Sequence, residues 1–392
     1  MVNRIYGRLP TTIFEEMSGL ARAHDAINLG QGFPDDPGPD AVRAKAAEAV
    51  VGGSNQYPPM LGLPELRRAA ATHYARTQGL DLDWAEEVTI TSGATEALAA
   101  AFFGLIEDGD EVVVFQPVYD AYLPMIERAG GVARPVRLSP PGWRFDREAL
   151  EAAFTERTRL VVLNNPVNPT AVVLPPEDLA LLAEFCVRYD VTAICDEVWE
   201  QVVFGNAAHR PLMAFPGMRE RTVKIGSAGK MFGLTGWKVG FLCAAPKLTG
   251  ALARAHQFLT FTTPPNLQSA VAFGLETGES WFREMPRTLE RSRDHLAAAL
   301  GREGFAVLPS QGTYFLNLDL PASGVDEPDR AFALRAVTEA GVASIPVSAF
   351  YAQDPVTSIL RLCFAKQDAV LEEAAVRLAR ARDLSRARRK RR

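Results

Sequence analysis

Thr222-Val-Lys-Ile-Gly-Ser-Ala-Gly-Lys-Met-Phe-Gly-Leu-Thr-Gly-Trp-Lys-Val-Gly240 is the stretch that decides the reading of this chain. A short β-branched run, Thr222 to Ile225, leads straight into small residues, and one lysine, Lys230, stands among them. A lysine on a loop that follows a buried strand is desolvated. Burial disfavours its ammonium form and frees the amine for carbonyl chemistry. A Gly-rich phosphate loop competes, but the spacing Gly-x-x-x-x-Gly-Lys-Ser/Thr is absent. A purely structural loop stays open on this stretch alone.

The same grammar repeats on either side. Strands are expected at Glu87–Thr91, Glu111–Phe115, Val132–Leu138, Leu160–Leu163, Val191–Cys195, Thr222–Ile225 and Val239–Cys243. Helical patterns fall between them at Thr95–Ile106, Ala121–Ala129 and Pro176–Tyr189. Strands that are apolar throughout and alternate with helices imply an α/β fold, a mostly parallel seven-stranded sheet covered on both faces. From about residue 280 the pattern changes. A long amphipathic helix, Trp281–Arg302, precedes Gly304–Leu308, Tyr314–Leu320, a helix near Asp329–Ala340, and strands Val342–Ile345 and Ile359–Phe364. That is the grammar of a smaller α+β domain. The expected division is a large domain at 41–285 and a small one at 286–392, which the N-terminal segment 1–40 joins.

In open α/β sheets, ligands bind beyond the carboxyl ends of the strands, so the residues just past each strand are the candidates. Thr91-Ser-Gly-Ala-Thr-Glu96 opens a helix. Free N–H groups at Gly93, Ala94 and Thr95 suit an anion, although a plain N-cap fits the same residues. Asn164-Asn-Pro-Val-Asn-Pro-Thr170 holds Asn168 before a proline, with its amide free to donate; an Asx-turn is the alternative. Asp196-Glu197 ends a buried strand, where a carboxylate needs a cation, from a ligand or from the protein. With Lys230 these segments supply a phosphate cradle, an amide donor, a counter-charge and a reactive amine. Pyridoxal phosphate needs that set. No metal ligands are assigned.

Composition narrows the partners. Net charge is −5, from 42 basic and 47 acidic residues, which argues against nucleic acid as the main partner. The basic run Ser385-Arg-Ala-Arg-Arg-Lys-Arg-Arg392 is read as a frayed, solvated tail. The four cysteines form no Cys-x-x-Cys pair and read as buried, reduced thiols of a cytoplasmic protein. No apolar h-region opens the chain and no apolar stretch is long enough to span a membrane.

The chain resembles the fold-type-I, class I aminotransferases, and looks closest to the kynurenine aminotransferase/glutamine transaminase group. The shared stretches are Leu29-Gly-Gln-Gly-Phe-Pro-Asp35, Asn55-Gln-Tyr57, Asn168-Pro-Thr170, Asp196-Glu-Val198, Ser227-Ala-Gly-Lys-Met-Phe232, Thr235-Gly-Trp-Lys-Val-Gly240, Ile345-Pro-Val-Ser348 and Ile359-Leu-Arg361. The resemblance implies that Lys230 carries the cofactor as a Schiff base and moves a proton at the substrate. It implies that Asp196 faces the ring nitrogen, that Asn168 donates to the ring oxygen and that Tyr119 stacks on the ring. Gly93, Ala94, Thr95, Ser227 and Lys238 would hold the phosphate. Tyr57 would reach the phosphate of a second subunit in a homodimer, and Phe261 would line that subunit's pocket. Arg361 would grip the substrate α-carboxylate as a fork, with Gly32 and Asn168 beside it.

Three positions depart from the family pattern. Trp199 stands where relatives carry a tyrosine whose phenol donates to the cofactor; an indole cannot replace it, so the Lys230 imine is expected to lose its proton at higher pH. Lys238 stands in place of arginine, which makes the phosphate contact less bidentate, and Ala171 replaces a glycine. The expected activity is transfer of an amino group between an α-amino acid and a 2-oxo acid by alternating half-reactions. Phe33, Phe261, Phe350 and Tyr351 suggest a neutral, aromatic or sulfur-containing donor. A C–S β-lyase on the same scaffold, or a transaminase of the aspartate or succinyldiaminopimelate type, shares these motifs. A non-enzymatic regulator ranks last, because only about thirty residues precede Gly30.

Overall fold

The computed structural model of this protein describes residues 2–389. The strands among the described residues are β1 (Ile27–Asn28), β2 (Val88–Thr91), β3 (Glu111–Gln116), β4 (Val132–Arg137), β5 (Thr158–Asn164), β6 (Thr192–Asp196), β7 (Thr222–Ser227), β8 (Gly240–Ala244), β9 (Ala306–Val307), β10 (Phe315–Asp319), β11 (Val342–Ala343), β12 (Ile345–Pro346) and β13 (Ile359–Cys363). Seven of them form one sheet in the order β2-β8-β7-β6-β5-β3-β4. All neighbours pair in parallel except β8, which runs antiparallel to β2 and β7.

Alternate residues of each strand leave on opposite faces, and both faces are apolar. Val112 and Val114 pack with Leu160, Val162, Ile194 and Ile225 under the helix Gly93–Leu105. Val113 packs the other way with Val161, Leu163 and Cys195, under the helix Pro176–Arg188. All four cysteines are buried and free.

A second unit carries the antiparallel sheet β12-β13-β10-β9. The helices Glu279–Arg302, Asp329–Ala340 and Asp368–Arg389 enclose it, and so does an N-terminal helix, Ile13–Ala23. Ile13, Met17 and Ala21 join the same apolar cluster as Leu316, Leu362 and Leu371, and β1 pairs with β11.

Several local expectations need correcting. Glu87 caps no strand: it belongs to a short helical turn, Trp84–Glu87, because Asp83 accepts the Ala85 N–H and starts that turn. The run Val342–Ile345 is not one strand. It splits at Ser344 into β11 and β12, which serve different sheets, because each half has its own backbone partner. The stretch Gly304–Leu308 shortens to β9. The described part of the basic C-terminus is helical rather than frayed: the Ser385 hydroxyl donates to Glu327 at 2.7 Å and Arg386 Nε donates to the Gly324 carbonyl at 3.2 Å. Lys390, Arg391 and Arg392 lie outside the described residues.

Candidate active site

Strands β5, β6 and β7 end side by side on Asn164, Asp196 and Ser227, and the chain after β2 opens the helix Gly93–Leu105 at the same edge. A cavity of about 190 Å³ lies there. Its lining includes Gly93, Ala94, Thr95, Tyr119, Asn168, Asp196, Trp199, Ser227, Lys230 and Lys238. Residues spread over more than a hundred positions therefore meet because parallel strands all deliver their carboxyl ends to one side.

Lys230 sits in the one-turn helix Ala228–Met231, whose N-cap, Ser227, accepts the Lys230 N–H at 3.4 Å. Its ammonium contacts the Gly32 carbonyl at 3.3 Å and lies 4.6 Å from the centre of the Trp199 ring. The Tyr314 hydroxyl donates to the Lys230 carbonyl at 3.0 Å. Burial, helped by the Arg361 and Lys238 charges, lowers the Lys230 pKa to about 8.

Asp196 is buried at the end of β6. The Tyr122 hydroxyl donates to its Oδ2, and the Val198 N–H approaches Oδ1 at 3.4 Å. Burial raises its pKa to about 6 against those hydrogen bonds.

Arg361 is fully buried on β13. Nη1 donates to Asn168 Oδ1 at 2.9 Å and Nη2 to the Gly30 carbonyl at 2.6 Å, while Nε is buried with no partner. The guanidinium lies 3.9 Å from the Phe315 ring centre. Burial lowers its pKa to about 9. Because a guanidinium only donates, the contact fixes which end of the Asn168 amide is oxygen and turns its NH₂ free for another acceptor. The Asn168 N–H in turn donates to Asn164 Oδ1 at 2.7 Å.

The cradle at the helix start is glycine by necessity. Gly93 has φ +76°, and a Cβ there would meet Lys238 Cε at 3.1 Å and Nζ at 3.3 Å. A Cβ on Gly240 would come within 2.6 Å of the Gly93 carbonyl carbon. Only bare backbone lets the two segments and Lys238 come this close together.

Two expected residues lie elsewhere. Tyr57 and Phe261 pack edge to face, with centroids 5.6 Å apart, on the surface rather than in this chain's cavity; Tyr57 is 85% exposed. The aromatic neighbourhood inferred for the substrate is not assembled around the cavity either. Phe350 is buried against Arg361, Tyr351 donates its hydroxyl to the Leu138 carbonyl, and Phe33 lies beneath Lys366. The sequence does not single out Tyr122, and it gives Asn164 only as the first residue of the segment that carries Asn168. Asn164 carried a signal as the polar last residue of a buried strand. Tyr122 carried none, since either Tyr119 or Tyr122 could face the cavity until the helix is docked.

Glu197, Glu200 and His209 offer ligand atoms within 4.8 Å of one another. The buried Lys224 ammonium lies between the two carboxylates, so the protein supplies its own cation there. Burial would raise the Glu197 carboxyl, but Lys224 and His209 outweigh it and hold it down to about 2.

Residues 24–378 match the family model for aminotransferases of class I and II. The chain belongs to that family. It is 44% identical to the probable N-succinyldiaminopimelate aminotransferase DapC of Mycobacterium tuberculosis, over 94% of this chain and 96% of the relative. It is 37% identical to human kynurenine–oxoglutarate transaminase 1, over 91% and 92%. The crystal structure of an Escherichia coli methionine aminotransferase superposes with a TM-score of 0.93 at 40% identity, covering 97% of this chain and 99% of that one. This aminotransferase therefore depends on pyridoxal phosphate. Its own residues fit that group on independent grounds: a buried carboxylate held by neutral donors, a half-buried amine with one weak contact, and a glycine-walled anion cradle. Among the described residues, no helix is long and apolar enough to cross a membrane.

Proposed function

We propose that this aminotransferase takes amino acids with neutral side chains as donors and passes the amino group to a 2-oxo acid. The observation that carries the reading is Arg361, a buried guanidinium with an unpartnered Nε beside Asn168. It suits one carboxylate, the α-carboxylate. Among this chain's described residues, the cationic side chains lining the cavity are Lys230 and Lys238, both assigned to the cofactor, so this chain offers a side-chain carboxylate no further cation there.

Pyridoxal phosphate supplies, when bound, the aldehyde that exchanges amino groups and the conjugated ring that draws electrons from the substrate Cα. Lys230 would hold it covalently and then, as a free amine, shuttle the Cα proton. Its lowered pKa keeps a useful fraction unprotonated near neutral pH. Asp196 would supply the counter-charge to the ring nitrogen, and Tyr119 would lie against the ring. Asn168 would donate through the NH₂ that Arg361 turns free. Gly93, Ala94, Thr95, Ser227 and Lys238 would hold the phosphate, with Trp199 over the reactive amine. Gly32 would flank the substrate.

We also infer a homodimer, supported by the exposed pair Tyr57 and Phe261, which would complete a second subunit's site. Residues 41–285 would bind the cofactor, and 1–40 with 286–392 would form the smaller unit that supplies Arg361. Four buried free thiols favour the cytoplasm.

The test is a donor screen with the purified, cofactor-loaded protein, following loss of the cofactor's visible absorption. Methionine, phenylalanine and kynurenine should convert it, and aspartate and glutamate should not. Preference for acidic donors would overturn the substrate class, and no conversion by any amino acid would overturn the whole reading. N-succinyldiaminopimelate belongs in the screen because the relative named for it is 44% identical. Pyruvate released from cysteine conjugates without any oxo acid would instead indicate β-elimination.

A further inference from the structure

His256 is completely buried near the end of the helix Pro246–Leu259, and both of its ring nitrogens are occupied. Nε2 lies 3.0 Å from the Met60 carbonyl. Nδ1 lies 3.0 Å from both oxygens of Glu96, with the Thr260 hydroxyl at 3.4 Å. A carbonyl oxygen only accepts, so Nε2 carries a proton. A second proton must lie between Nδ1 and the carboxylate. Glu96 also accepts the Ser92 N–H at 3.1 Å and sits in the first turn of the helix Gly93–Leu105, where the helix dipole favours an anion. Both effects leave the charge on Glu96 and the second proton on His256. Burial opposes the imidazolium, but the Glu96 hydrogen bond and charge hold its pKa above the ordinary value.

The three contacts join three separate segments. Ser92 and Glu96 flank the glycine cradle, one just before Gly93 and the other just after Thr95, and neither lines the cavity. Met60 lies three residues after Tyr57, in the loop between the helices Asp40–Gly52 and Pro64–Gln78. Thr260 precedes Phe261, which is held at φ +65°. The Ser92 and Thr263 hydroxyls, 3.3 Å apart, tie the first and third segments again.

We propose that His256, held as an imidazolium, is a positioning residue that sets the cofactor-phosphate cradle and the two partner-facing aromatic residues, Tyr57 and Phe261, as one unit. The proposal rests on the cradle and dimer roles proposed above. No contact to the reacting atoms is required of His256. It acts through Glu96 on the helix start, through Met60 on Tyr57, and through Thr260 on Phe261.

The test uses the full-length protein with ¹⁵N-labelled histidine. At pH 7.5 the His256 signal, identified by its loss in His256→Gln, should show protons on both ring nitrogens. In Glu96→Gln, a side-chain amide can donate to Nδ1 and still accept the Ser92 N–H, so the ring should become neutral while its position is kept. His256→Gln, which cannot span both contacts, should bind pyridoxal phosphate about tenfold more weakly and raise the donor KM. At saturating cofactor its kcat should stay within about twofold, because the reacting groups are untouched. Glu96→Gln should keep near-normal cofactor affinity. A neutral ring in the wild-type protein overturns the charge assignment. A folded His256→Gln with unchanged cofactor affinity and KM overturns the positioning role. Failure of the wild-type protein to transaminate would sink the proposed function instead, and the NMR signature, read on cofactor-free protein, separates the two.

Discussion

The Tyr122 hydroxyl donates to Oδ2 of Asp196, across 74 positions of sequence, and both groups are buried. The hydrogen bond satisfies one carboxylate oxygen, while the Val198 N–H approaches the other. It also favours the charged form, the form that the proposed counter-charge role would use.

Tyr122→Phe therefore leaves Asp196 with only the Val198 N–H. Asp196 has a folded pKa of about 6, above its unfolded value near 4, so in the cofactor-free protein its stabilising effect is present below about pH 4 and lost as pH rises through about 6. Loss of the Tyr122 donor pushes that pKa further up. The acid limb of the pH–rate profile should move to higher pH, with about a tenfold loss of activity at pH 6.5. An unmoved acid limb would show that Tyr122 only fills space.

Lys230→Met should stabilise the cofactor-free protein at neutral pH. The Lys230 pKa is depressed to about 8, so its contribution to stability is full above about pH 10.5 and is lost as pH falls through 8. At pH 7 the half-buried ammonium costs on the order of 1 to 2 kcal/mol once solvent screening is allowed for, and the variant recovers it. Denaturant melts from pH 6 to 10 should show the gain shrinking as pH rises. Covalent capture of pyridoxal phosphate should vanish in the variant and accelerate through pH 8 in the wild type.

Trp199→Tyr tests the departure at the reactive amine. The Lys230 nitrogen faces the Trp199 ring at 4.6 Å, a contact that favours a positive charge. A tyrosine replaces part of that ring with a hydroxyl that donates to the cofactor. The imine absorbance of the loaded protein should therefore titrate at lower pH in the variant. Superimposable titration curves would remove Trp199 from this role.

Arg361→Lys keeps the charge and loses the fork. The Asn168 and Gly30 contacts cannot both be kept by one ammonium while it also grips a carboxylate. The donor KM should rise about 10- to 100-fold, with cofactor affinity little changed. Steady-state kinetics beside cofactor titration separates the two effects.

Much of the fold was legible because it is written in near neighbours. The seven strands of the main sheet lie close to where the sequence places them, since most are short apolar runs between turn residues. The helices Asp40–Gly52, Pro64–Gln78 and Pro265–Thr277 were not seen. The second of them buries Arg67, which donates to the Val88 and Ala85 carbonyls, and His73, so its polar residues hide the face that packs.

Lys230 shows the division between sequence and tertiary structure most clearly. Sequence alone determined the α/β architecture, the strand-end placement of Asn168, Asp196 and Lys230, and the glycines that admit an anion. Each of those depends on a few consecutive residues. Only the tertiary structure decided that Tyr122 rather than Tyr119 holds Asp196, that His256 meets Glu96 and Met60, and that Arg361 orients Asn168. A buried polar group must find its partner wherever the packed chain brings one, and in these cases that partner is 74 to 196 positions distant.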